Sequence, residues 1–311
     1  MAKIDLITGF LGSGKTTFLN KYVNYLLSKG QKVGIIENDY GAVNVDMMLL
    51  GGLMDRGVEV ETIAGACDYD CHKRRFKTKL IAMGMQNFDR VIVEPSGIFD
   101  VDEFFDTLHE EPLDRWFEIG SVIAIIDAVS DDELSEESGY LTASQAANAG
   151  ALIFSKTQLS DEHRIKNKIA QINSALKSIN CGRDISDIVI KKNWDDFTDE
   201  DFNAIENCGY EVSDYTKNTL SENSYMSLYF MNTNLSPENA ETLAEKLLKT
   251  DKYGKVFRVK GFINDGENWF ELNATKKQTE LKPIKNGQDI IIAIGENLDE
   301  EKLKKAVEDE A

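Results

Sequence analysis

The octapeptide Gly9-Phe10-Leu11-Gly12-Ser13-Gly14-Lys15-Thr16 constrains this chain more than any other stretch. It fits the pattern GxxxxGK(S/T). An apolar run at 4–8, read as a strand, precedes it, and an amphipathic run at 15–28, read as a helix, follows. Strand, glycine-rich turn and helix in that order make a phosphate-binding loop. The glycines let the backbone wrap closely, so that N–H groups converge on phosphate oxygens. The helix adds the positive end of its dipole. Gly12, Ser13, Gly14 and Thr17 belong to this site, Lys15 is placed to reach the β and γ phosphates, and the Thr16 hydroxyl to ligate Mg²⁺. The expected ligand is a nucleoside triphosphate. A glycine-rich turn with an accidental lysine is the blander reading, and it does not account for both flanking elements.

The rest of the first two-thirds alternates short apolar runs with helical patterns. Strands are expected at 4–8, 32–37, 58–62, 90–94, 122–127, 151–154 and 187–190, and helices at 15–28, 72–85, 131–149 and 161–179. Strands apolar on both faces and separated by helices predict an α/β fold, a P-loop NTPase domain with a mostly parallel sheet covered by helices. Ligands gather at the carboxyl ends of such strands. The polar stretch 212–223 reads as a linker between a domain at 1–215 and one at 222–311. Beyond it, strands at 225–231, 255–263, 268–273 and 288–294 and helices at 237–249 and 299–308 predict a small α+β domain. Ser236 is the expected cap of the first of these helices, with Pro237 in its first turn.

Of 311 residues, 42% are hydrophobic and 29% charged, the balance of a soluble globular protein. The formal net charge of -19 argues against nucleic acid or an anionic membrane as partner, since most of the surface repels phosphate. With no signal-peptide pattern and no membrane-length apolar run, a cytoplasmic location is expected. The four cysteines then read as reduced thiols, metal ligands or small buried groups. Cys181 and Cys208 stand alone and read as filler.

Two further motifs follow predicted strands. In Glu94-Pro95-Ser96-Gly97, Glu94 sits where a P-loop protein contacts Mg²⁺ or the attacking water, and the Gly97 N–H is placed for a γ-phosphate. In Glu37-Asn38-Asp39-Tyr40-Gly41, Glu37 and Asp39 are candidate metal contacts in a switch-like loop.

These elements resemble, in order, the CobW-type metallochaperone GTPases, relatives of UreG and HypB. The resemblance runs over nearly the whole chain: Thr8–Thr17, 36–46, 65–67, Val93–Gly97, Asp127-Ala128, Gln145, Ser155-Lys156-Thr157, 254–262 and the final segment. It implies a GTPase domain followed by a small C-terminal domain. It also implies GTP hydrolysis coupled to delivery of Zn²⁺ or Co²⁺ to a client metalloprotein or cofactor-dependent enzyme. A nucleotide-dependent homodimer is an admissible assembly.

The chain departs from the family pattern twice. The usual GCxCC is replaced by Gly65-Ala66-Cys67-Asp68-Tyr69-Asp70-Cys71-His72. Two thiols one helical turn apart share a face, and sulfur with imidazole nitrogen suits Zn²⁺ or Co²⁺, so Cys67, Cys71 and His72 remain candidate ligands. A degraded site with unligated cysteines is the alternative. The guanine-reading (N/T)KxD becomes Ser155-Lys156-Thr157-Gln158. Lys156 still suits the base plane, but Gln158 offers a neutral carbonyl in place of a carboxylate, which leaves ATP open beside GTP. No arginine finger stands out, and Arg74 and Arg75 read as a solvated helix face. The competing readings are an interaction switch without metal cargo and a small-molecule kinase. The chain shows no arginine-rich lid of the kind the kinase reading needs.

Overall fold

The computed structural model describes residues 1–38, 50, 52–63, 69–99, 101–130, 135–216, 225–284 and 287–311, with the backbone alone for 38, 69–72, 225 and 226. The chain divides into two compact units, Met1–Asn218 and Thr219–Ala311.

The first unit is built on strands β1 (Ala2–Thr8), β2 (Val33–Asn38), β3 (Glu59–Ile63), β4 (Arg90–Pro95), β5 (Phe117–Asp127), β6 (Ala151–Ser155) and β7 (Val189–Ile190). They form one sheet in the order β3-β2-β4-β1-β5-β6-β7, and every pairing is parallel. Between them run α1 (Lys15–Ser28), α2 (Tyr69–Gly84), α3 (Val101–Leu108), α4 (Leu113–Trp116), α5 (Glu136–Ala147), α6 (Glu162–Ser178) and α7 (Asp199–Glu206).

Alternate strand residues face opposite sides. Ile7, Ile35, Ile92, Ile125 and Ile153 pack with Phe18, Leu19, Tyr22 and Leu26 of α1 and with Phe202 and Ile205 of α7. Their neighbours Leu6, Ile36, Val93, Ala124 and Phe154 are buried as well. Strands buried on both faces need a parallel sheet covered on two sides, as the apolar runs predict. From β1 the chain builds outward through β2 and β3, returns to β4, and then continues through β5 on the other side of β1. The carboxyl ends around β1 are therefore the switch point where such sheets bind ligands.

At the amino-terminal end of the sheet a buried ionic network ties strands to helices. The Asp5 carboxylate accepts from Arg90 Nη1 at 2.6 Å, from the Ser121 N–H at 2.8 Å and from the Tyr22 hydroxyl at 2.9 Å. Arg90 Nη2 continues to Glu206 Oε1 at 3.2 Å, and Gln31 donates to the same oxygen at 2.7 Å. Gly120 has no room for a side chain, because a Cβ there would lie 2.3 Å from Asp5 Oδ1.

The second unit is an antiparallel sheet of β8 (Tyr225–Met231), β9 (Lys255–Asn264), β10 (Trp269–Thr275), β11 (Thr279–Ile284) and β12 (Ile290–Glu296), in the order β11-β10-β9-β12-β8. Helices α8 (Pro237–Leu248) and α9 (Glu300–Glu310) bury Leu243, Leu247, Leu303 and Val307 with Val259, Ile263 and Ile291. Ser236 caps α8, accepting from the Asn239 N–H at 3.1 Å, and Pro237 opens the helix as expected.

Several elements differ from the sequence reading. Helices α3, α4 and α7 and strand β11 were not expected. The predicted strand at 187–190 is a 3₁₀ turn, Ser186–Ile188, followed by the two residues of β7. Strand β5 begins at Phe117, five residues before position 122. Within the predicted 131–149 helix, α5 starts at Glu136, where the Ser135 hydroxyl caps it; residues 131–134 lie outside the described residues. No described helix is long and apolar enough to cross a membrane.

Candidate functional site

The loop after β1 closes on itself before α1 begins. Gly9, Gly12 and Gly14 take positive φ values of 145°, 75° and 99°, which only glycine adopts cheaply. The Ser13 N–H donates to Phe10 O at 3.1 Å, and the Phe18 N–H reaches Gly14 O at 3.0 Å to start the helix. Lys15, 8% exposed, lays its Nζ 3.0 Å from Gly9 O across the loop. A phosphate anion makes a stronger, charge-assisted bond to an ammonium than a neutral carbonyl does, so this contact is exchangeable. The buried hydroxyls of Thr8 and Ser13 have no hydrogen-bond partner among the described residues. Thr17 is exposed at the head of α1.

The second motif meets this loop from β4. The Thr16 hydroxyl donates to Glu94 Oε1 at 2.7 Å. Glu37 on β2 is in register with Glu94, so the two carboxylates share one face of the sheet, and both are buried. A hydroxyl and carboxylates are hard oxygen donors of the kind Mg²⁺ takes. Gly97 lies against the phosphate loop, where a Cβ would stand 2.5 Å from Leu11 N. Its carbonyl accepts from Gln145 Nε2 on α5 at 3.1 Å, so Gln145, named in the sequence only through the family resemblance, fixes the far side of this turn.

The third element comes from the end of β6. Lys156 adopts a left-handed conformation with φ 56°. Its Nζ lies 2.6 Å from Asp127 Oδ2 and 3.2 Å from Gly12 O, so one ammonium joins the ends of β5 and β6 to the loop after β1. Asp127 is held in turn by the Val129 N–H at 2.8 Å. Gln158 stands exposed in the 3₁₀ turn Thr157–Leu159.

Thus Gly12, Ser13, Gly14, Lys15, Thr16, Glu94, Gly97 and Lys156 come together at the carboxyl ends of β1, β4 and β6, with Glu37 beside Glu94. Asp39 and Cys67 lie outside the described residues. Cys71 and His72 belong to the first turn of α2, and their side chains are likewise outside the described residues. Among the described residues no group of three or more His, Cys, Asp or Glu side chains is arranged to hold a metal. Cys181 is buried, and Cys208 packs at the core edge, where burial pushes its thiol up to about 11. Arg74 and Arg75 are exposed on α2.

Sequence reasoning missed Trp194, in the 3₁₀ turn Trp194–Asp196 after β7. Its indole occupies the space next to Gly14. The available signal was a lone aromatic in the polar run Lys191-Lys192-Asn193-Trp194-Asp195-Asp196, just past the last strand.

The family model described as CobW/HypB/UreG, nucleotide-binding domain, matches residues 3–186, and the cobalamin synthesis protein CobW C-terminal domain matches residues 231–310. The zinc chaperone YjiA of Escherichia coli strain K12 is 31% identical over 180 residues, which cover 55% of this chain and 54% of the relative. The match therefore spans about half the length of that curated protein. The zinc-regulated GTPase metalloprotein activator 1 of Schizosaccharomyces pombe is 22% identical over 344 residues, covering 95% of this chain and 82% of that protein. Among solved structures, Zn(II)-bound YjiA GTPase from E. coli covers 98% of this chain and 97% of its own at 18% identity, with a TM-score of 0.38. Residues 3–186 are more than half of the 311, and on that match the chain belongs to the CobW/HypB/UreG family of P-loop proteins.

Proposed function

We propose that the chain is a Mg²⁺-dependent nucleoside triphosphatase, with GTP as the favoured substrate, that works in the cytoplasm and couples hydrolysis to delivery of Zn²⁺ or Co²⁺ to a client metalloprotein. The observation that carries the nucleotide part is the bond from the Thr16 hydroxyl to Glu94 Oε1 at 2.7 Å, made at the mouth of a glycine loop that Lys15 spans.

Each group has a task on this reading. Lys15 leaves Gly9 O for the β and γ phosphate oxygens. Gly12, Ser13, Gly14 and Thr17 line the phosphates, and Gly97 offers its N–H to the γ-phosphate. Thr16, with Glu94 and Glu37 behind it, holds the Mg²⁺ side of the site. Mg²⁺ bound there neutralises charge on the transferred phosphoryl group. Glu94 also orients the attacking water. Lys156 carries its methylene stem along the base, with Gln158 at the base edge.

The metal part rests on Cys67, Cys71 and His72, with Glu37 and Asp39 as oxygen donors. Support comes from the relatives, three of which are named zinc chaperones. The cargo segment lies in the chain between the two acidic motifs, so γ-phosphate contact and metal ligation would act on one stretch.

The test pairs hydrolysis with metal titration. Phosphate release is expected with Mg·GTP, more slowly with Mg·ATP, and to vanish in Lys15→Ala. The Cys67→Ser/Cys71→Ser double variant is expected to bind Zn²⁺ and Co²⁺ more weakly and to lose metal stimulation of turnover. Unchanged metal affinity in the double variant sinks the cargo role and leaves a nucleotide-dependent interaction switch. Tighter binding of ATP than GTP sinks the base assignment.

A further inference from the structure

Trp194 packs its ring on the phosphate loop at Gly14, a position that Ser155 of β6 also borders. A Cβ on Gly14 would stand 3.2 Å from its Cη2, 3.5 Å from its Cζ3 and 3.7 Å from Ser155 Cβ. The indole therefore fills the space a side chain at Gly14 would take, close to the first residue of the Ser155-Lys156-Thr157-Gln158 run. Two independent contacts hold it in place. The Phe18 ring of α1 meets it edge-on at 5.4 Å between centroids. The adjoining Asp195 pairs with Lys21 of α1 at 2.9 Å. Its Nε1 is buried with no hydrogen-bond partner among the described residues. A buried indole N–H normally finds a partner; here the ring contact with Phe18 and the Asp195–Lys21 pair hold the residue instead.

We infer that Trp194 is a positioning residue of the nucleotide site: its indole seats Gly14 of the phosphate loop in place beside Ser155 of β6, so that Lys15 and the loop N–H groups meet the phosphates without rearrangement of the loop. The inference rests on the nucleotide reading above. Gly14 directly precedes Lys15, whose ammonium must leave Gly9 O when a phosphate arrives. Ser155 directly precedes Lys156, whose ammonium already bonds Gly12 O. A ring packed on Gly14 registers a shift of the phosphate loop. Truncating the ring leaves the loop free to settle elsewhere, and the ligand must then bear the cost of seating it.

The test uses the full chain labelled with 5-fluorotryptophan. The chain has three tryptophans, so three fluorine signals arise, and the one lost in Trp194→Phe is assigned. Mg·GTP and Mg·tripolyphosphate are each expected to shift that signal. Trp194→Ala is expected to raise the calorimetric Kd for Mg·GTP about tenfold, and Trp194→Phe, which keeps an aromatic ring, by less than about threefold. Phe197→Ala controls for lost packing, since its ring packs on Phe202 in the same core. It is expected to lower the melting temperature without raising the Kd. A Trp194 signal that stays put at saturating Mg·GTP overturns the inference while leaving the nucleotide reading intact. So does a Phe197→Ala Kd that rises as far as that of Trp194→Ala. Absence of any calorimetric binding of Mg·GTP by the unsubstituted chain overturns both.

Discussion

Gly97 rests against the backbone of Leu11, so close that a Cβ would stand 2.5 Å from the Leu11 nitrogen and 2.8 Å from its Cα. The contact joins two motifs that lie 86 positions apart in the numbering, 97 − 11, and sets the turn after β4 directly on the phosphate loop. Gly97→Ala must push that loop aside, because backbone cannot rotate away as a flexible side chain would. A misplacement of about 1 Å in a catalytic constellation costs on the order of a hundredfold in turnover. We expect a loss of that order in phosphate release, with the circular dichroism spectrum unchanged. Full turnover in Gly97→Ala would show that the loop tolerates displacement.

Gln158 stands exposed beside Lys156, and on the nucleotide reading proposed above its neutral carbonyl would be the weakest part of the base site. Hydrogen bonds to charged groups exceed neutral ones by roughly 1 kcal/mol. Gln158→Asp is therefore expected to improve GTP over ATP about fivefold in relative Kd, with tripolyphosphate affinity unaltered. An equal change for both nucleotides would place position 158 away from the base.

The firmest sequence readings were those in which local pattern and tertiary need agree. Strand β1, the glycine loop and α1 follow one another with no competing signal. So do Ser236, Pro237 and α8. The missed elements are short or carry contrary residues. Helices α3 and α7 have eight residues each and α4 has four, too few for a helical period to stand out. Strand β11 contains Pro283, which weakens a strand pattern, yet β11 is an edge strand, where a missing N–H is tolerated. The site was legible as separate motifs. Their assembly was not, because the Thr16–Glu94 bond, the Lys156 bridge to Gly12 and the indole at Gly14 each join distant segments and depend on strand order. Trp194 carried no motif at all.

Asp5 and Arg90, both buried, make the ionic centre of the network at the other end of the sheet. Breaking a buried pair by removing one partner costs far more than the pair contributes, since the remaining charge is left in a low dielectric. Asp5→Ala is expected to destabilise the first unit by about 3–5 kcal/mol. Urea unfolding of the unsubstituted chain and the variant measures the loss. A change below about 1 kcal/mol would mean that Glu206 alone compensates the Arg90 guanidinium.

Asp201 supplies a pH dependence whose sign is fixed by its contacts. Lys192 Nζ lies 2.6 Å from its carboxylate, and the N–H and hydroxyl of Thr198 donate to it at 2.7 and 2.8 Å. Lys192 first, then the two Thr198 donors, hold the Asp201 carboxyl down at about 2, below its ordinary 3.8. A depressed acid stabilises the fold in its ionised form. That contribution is complete above the ordinary value and disappears as the pH falls through about 2. The carboxylate closes a capping box with Thr198 at the start of α7, the helix that brings Phe202 and Ile205 into the core. Loss of such a cap costs about 1 kcal/mol. Acidification from pH 5 toward pH 2 should therefore raise amide exchange in α7 of the unsubstituted chain more than in Asp201→Asn, which lacks the titrating group. Equal acid sensitivity in the two proteins would assign the loss to other carboxylates.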